Sequence, residues 1–170
     1  FSIEMINIDS DNNNKTICCP PFNPESWQDK DLIWENKRFV KTHVRTLFFI
    51  PLNFGGVMRM LMKKFQDVGQ ELPDILCLSE HVSKWKMNIY LPVDNEIPGL
   101  EEETFSGNFY SRVYEGNFKD TKKWCIDFEE ILKNKNLKIV NLYMWYTTCP
   151  KCAKEYGKNY VVLIAKVEKA

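Results

Sequence analysis

The feature that most constrains this chain is that its second half repeats the element order of its first. Asn53-Phe54 opens one helical pattern, and Asn117-Phe118 opens another sixty-four positions later. In the first half, residues 40–51 are dense in β-branched and aromatic side chains and read as a strand. Val57, Leu61, Phe65 and Val68 then recur at helical spacing, with Met58 and Met62 widening the stripe and Gly69 as a stop. Residues 73–78 and 85–93 read as two further strands. The second half offers a strand over 105–115, a turn at Gly116-Asn117-Phe118, a helix over 121–133, and strands over 138–146 and 160–167. The expectation is an α+β fold: two tandem β-α-β-β repeats, about 40–94 and 104–168, forming one curved antiparallel sheet with two helices on one face. The acidic, Pro-Gly-containing stretch 94–103 joins them. Residues 1–37 are expected to be an extended arm ahead of a domain spanning 38–170. Three prolines within Pro20-Pro21-Phe22-Asn23-Pro24 exclude regular structure there, and Trp27 and Trp34 would pin the arm to the body.

Strand alternation suggests which side chains look away from the helices. Over 138–146, Val140, Leu142 and Met144 form one face and Asn141, Tyr143 and Trp145 the other. Over 85–93, the apolar face of Met87, Ile89, Leu91 and Val93 leaves Asn88 and Tyr90 opposite. In the 105–115 strand Tyr110, Arg112 and Tyr114 share one face while Phe109, Val113 and Glu115 share the other, and alternation alone does not say which is open. An open face rich in rings suits a flat apolar or cationic ligand, because aromatic faces attract cations and a carboxylate supplies the counter-charge. The candidate ligand-binding residues are Tyr90, Trp145, Tyr143, Glu115, Arg112, Tyr114 and Trp85.

Charge and hydropathy narrow the partners. Lys plus Arg equals Asp plus Glu, 23 against 23, so the basic excess of a nucleic-acid binder is missing. No run approaches the ~20 apolar residues that cross a bilayer, and residues 1–8 are too short and acidic for a signal peptide. The expected partner is a small molecule, with neither nucleic acid nor membrane; the oligomeric state is not legible. Six cysteines without a secretory segment suggest reduced thiols and a cytoplasmic setting. Cys149-Pro150-Lys151-Cys152 is a CxxC expected on a hairpin loop. It could join Cys18-Cys19 around a structural zinc, act as a redox or disulfide pair, or remain free thiols. No cofactor is required by the pattern. The two histidines, His43 and His81, are far apart, and no phosphate loop, nucleophile elbow or zinc-protease signature occurs.

Several stretches together, "CCPPF" with Trp27 (18–22), "SKWKMNIYLPV" (83–93), "YEG" (114–116) and "YTTCPKCAKEYGKNYVV" (146–162), resemble the GyrI-like small-molecule-binding family, and within it a stand-alone branch labelled as hydrolases. The resemblance covers most of residues 17–168. It implies the effector-binding fold, a ligand cleft between the repeats, and an acidic residue among rings that receives cationic compounds. Glu115 is the nearest candidate for that acid. Three functions follow as expectations: binding of a small aromatic or cationic molecule in drug or toxin sensing or detoxification; hydrolysis of a reactive small molecule with Glu115 as general base and Tyr143 orienting water; or a zinc-stabilised interaction module.

Overall fold

The computed structural model describes residues 22–73, 76–148 and 150–170. Strands β1 (Lys30–Leu47) and β2 (Ile50–Pro51) are followed by helix α1 (Phe54–Asp67), then β3 (Leu78–Ser83) and β4 (Lys86–Pro92). The second repeat is β5 (Glu101–Glu115), α2 (Thr121–Asn134), β6 (Leu137–Tyr146), helix α3 (Pro150–Tyr156) and β7 (Tyr160–Lys169). All strand pairings are antiparallel, in the order β2-β1-β4-β3-β6-β7-β5, and β1 also pairs with β5. The sheet therefore curls until its ends meet. Equivalent strands of the two repeats form the two joints, β1 with β5 and β3 with β6, as a duplicated unit requires.

The bend has a visible cause. Between Trp34 and Lys37 the β1–β5 register slips, with Asn36 at a positive φ of 49° and its amide donating to Ser106 Oγ at 2.8 Å. Such a bulge adds a residue to one strand and increases its twist. It also switches the inward phase: Leu32 and Trp34 point into the concave side before it, Phe39 after it.

Each helix covers its own part of the outer face. Leu61 and Phe65 of α1 meet Val40, Val44, Met87, Ile89, Leu91 and Val93. Trp124, Phe128 and Leu132 of α2 meet Tyr110, Val161, Leu163 and Ala165. Asn53 and Asn117 anchor these helices differently: Asn53 Oδ1 accepts from the Arg45 amide of β1, whereas Asn117 Oδ1 accepts from Lys119 in a short 3-10 turn before α2.

Four expectations change. The first strand starts at Lys30, not 40, so the region taken as arm up to residue 37 already contains sheet. The strand expected over 73–78 lies at Leu78–Ser83. Val140 is exposed because the β6–β7 register slips between Ile139 and Asn141, which puts Ile139 rather than Val140 on the helix side. The segment after β6 enters a helix, α3, instead of the expected hairpin loop.

Candidate functional site

The concave side of the ring is lined almost wholly by rings and aliphatic groups: Phe39, Leu78, Tyr90, Phe105, Phe109, Tyr143, Trp145, Val162 and Ile164. Phe105 is at its centre, with ring centroids 4.7 Å from Phe39, 5.1 Å from Tyr90 and 5.2 Å from Tyr143. One end of this face is covered by the chain's own lead-in. Phe22 and Trp27 meet Trp145 edge-on at 5.4 and 5.1 Å, and Trp34 lies 4.3 Å from Phe109.

The other end stays open as a cavity of about 210 Å³ between Glu80, Tyr90, Glu103, Phe105, Phe109, Asn141 and Tyr143, with Lys41, Thr104 and Lys166 completing the wall. Glu80 is its chemically distinctive group. Its Oε1 accepts from Tyr90 Oη at 3.0 Å and from Asn88 Nδ2 at 3.4 Å, and its Oε2 accepts from Asn141 Nδ2 at 3.3 Å. Three donors from β4 and β6 thus fix the half-buried carboxylate on β3 beside the ring of Tyr90.

Both tyrosines are held neutral. Burial raises the pKa of Tyr90 first, and the bond to Glu80 adds to it. Burial likewise raises Tyr143, with the charges of Glu80 and Glu103 reinforcing the shift. Lys41 Nζ lies 3.2 Å from Glu103 Oε2 and 5.8 Å from the Tyr90 ring centre. Gly107, at φ +121°, leaves room for Lys166, whose Cε would be 3.4 Å from an added Cβ. The wall thus carries charges of both signs, and the surface that faces the cavity is mostly polar.

A larger gap of about 480 Å³ lies beside α1 at the edge of β1, between His43, Lys64, Lys86 and Leu100. It has neither converging rings nor an anchored carboxylate, so the smaller cavity is the better candidate.

Of the residues singled out from sequence, Tyr90, Tyr143 and Trp145 come together on the concave face, with Trp145 under the arm. Glu115 does not join them. It is exposed at the end of β5 opposite Tyr160, whereas Tyr143 lies opposite Ile164, four residues or about 13 Å farther along β7. The proposed Glu115–Tyr143 pair therefore does not meet. Arg112 is tied to Asp29 by bonds of 2.6 and 2.7 Å, and Tyr114 stacks on Trp124 and donates to Asp127 at 2.7 Å, all on the α2 side. Trp85 sits exposed in the β3–β4 turn. Cys18, Cys19 and Cys149 lie outside the described residues; Cys152 is buried, and among the described residues no three His, Cys, Asp or Glu side chains gather to hold a metal.

Sequence reasoning missed Glu80. Placing a strand at 73–78 left Ser79-Glu80-His81 in a loop. A turn set at residues 83–86 would have put Glu80 opposite Asn88 and on the face of Tyr90, the register the hairpin adopts.

The duplicated β-α-β-β unit, closed into one antiparallel sheet, is consistent with a GyrI-like fold. The chain belongs to the bacterial hydrolase family, whose model matches residues 9–167. Among solved structures it is similar to a hydrolase from Listeria innocua, with a TM-score of 0.59, 10% identity, and coverage of 83% of this chain and 92% of that one. It is also similar to the EcmrR C-terminal domain, with a TM-score of 0.57, 10% identity, and coverage of 85% and 99%. At such identities the likeness concerns the fold. No curated protein matches the chain.

Proposed function

We propose that the protein binds a small aromatic molecule carrying a positive or hydrogen-bond-donating group, with its ring among Tyr90, Phe105 and Tyr143 and its polar end toward Glu80. The observation that carries this reading is the Glu80 carboxylate held by three donors within a wall of rings. A cavity of roughly 150 Å³ takes a benzene, so about 210 Å³ fits a substituted single ring and excludes larger fused systems while the arm stays on Trp145.

Benzyltrimethylammonium is a suitable probe for calorimetric titration. Wild type should bind it, and Glu80→Gln, which keeps the shape and removes the charge, should weaken binding about tenfold or more, as for a desolvated charge contact. Equal affinity in the two proteins would rule the assignment out.

Membership of the hydrolase family favours a second reading of the same cavity, with Glu80 as general base for a water that attacks a small reactive substrate. Phenyl acetate tests it: a wild-type turnover that falls about 10²- to 10⁴-fold in Glu80→Gln supports catalysis. Binding without turnover leaves a binding protein.

A further inference from the structure

The β1–β2 turn and the β3–β4 turn meet at one end of the molecule. Thr46 Oγ1 and the Phe49 amide both donate to the Lys84 carbonyl, at 2.8 and 3.1 Å, which ties the two turns together. Their surface is strongly apolar. Phe48, Phe49, Ile50, Leu52, Val82 and Trp85 are all at least half exposed, with Ile50 at 66% and Phe48 at 61%. A soluble surface carries such residues singly; together they mark an interaction site.

Two further observations say what covers it. First, no acidic residue lies between Glu35 and Asp67, and none between Glu80 and Asp94, so the two segments that form the tip carry cations alone. Among the described residues Arg45, Arg59, Lys84 and Lys86 make no ion pair. A second copy of the chain would bring the same sign of charge against itself, whereas an anionic surface complements it. Second, Phe48 and Phe49 are the two central residues of the turn, at φ of 47° and 70°. Asn and Gly favour that backbone, and bulky rings strain it. Phe48 packs 5.2 Å from Trp85, with Lys84 Nζ 5.9 Å from its ring. Exposed Phe and Trp beside Lys is the composition of a segment that settles at a bilayer's headgroup level.

We infer that this double-turn tip is a docking surface for an anionic lipid bilayer, with Phe48, Phe49, Ile50 and Trp85 entering the interface and Arg45, Lys84 and Lys86 meeting the headgroups. No spanning segment is needed, and no helix among the described residues is long and apolar enough to cross a membrane. Hydropathy along the sequence sets membranes aside because it registers only such a span.

Co-sedimentation of the full chain with large vesicles tests the inference, comparing pure phosphatidylcholine with a mixture containing phosphatidylglycerol. Partition should be at least about tenfold stronger on the anionic vesicles and should fall in high salt. The double variant Phe48→Asn/Phe49→Gly suits the turn's backbone, so its melting temperature should equal or exceed that of wild type, while its vesicle binding drops about tenfold or more. Absence of binding to anionic vesicles overturns the inference, as does equal binding by the double variant. So does a sedimentation-velocity dimer that the variant abolishes in a protein with no affinity for vesicles, which would make the tip a contact between copies.

Discussion

The clearest residue-scale lesson is the contrast between two carboxylates. Glu80 faces the rings and takes three neutral donors; Asp29 holds the lead-in to β5. The Asp29 carboxyl is raised somewhat by burial, but the bonds from Arg112, Tyr110 at 2.9 Å and Gln28 outweigh that and leave its pKa below the ordinary value. A lowered folded pKa gives stability that is present above the unfolded pKa, near 4, and lost as pH falls through the folded value. The pair is partly exposed, so the effect is about 1 kcal/mol or less. Asp29→Asn should therefore be less stable than wild type at pH 7, and the gap in urea midpoint between them should narrow as the pH falls below about 4. A constant gap from neutral pH down to strong acid would show that the charge contributes nothing. Sequence alternation was sufficient for Tyr90 and Tyr143, because β4 is regular and β6 is regular beyond its slip at 139–141. It could not reveal Glu80, since a polar Ser-Glu-His run looks like a loop unless its hairpin partner is known.

At the scale of elements, α1, α2, β4 and β7 were legible because their periods are unbroken: Leu61 and Phe65, or Trp124, Phe128 and Leu132, are buried where the spacing puts them. The first half of β1 was not, because the bulge reverses the inward phase and Glu35-Asn36-Lys37 reads as a break. The connection from β5 to α2 tests local geometry. Gly116 has φ +145°, and an added Cβ would come within 3.3 Å of Trp124 Cζ2. Gly116→Ala combines a strained backbone with pressure on a core indole and should cost about 1–3 kcal/mol in urea unfolding. An unchanged midpoint in that variant would mean that the turn relaxes freely.

For the whole molecule, the order of elements implied the duplicated sheet, but closure into a ring could not be read from it. Closure rests on β1 meeting β5 and β3 meeting β6, pairs joined by no turn, and on the arm occupying one end of the concave face. The two joints are unequal. β1 and β5 are zipped over most of their length, whereas β3 and β6 share a single registered pair, Ser79 with Met144. The side-chain link across that weak joint is Asn141 to Glu80, in the wall of the cavity. A hoop with one thin weld flexes at the weld. Backbone amides flanking Ser79 and Met144 should exchange with deuterium sooner than those of the β1–β5 zipper, and a compound lodged against Glu80 should slow them selectively. The same clasp that admits a guest would then be the part its arrival stiffens, which couples entry and retention in one short stretch of sheet.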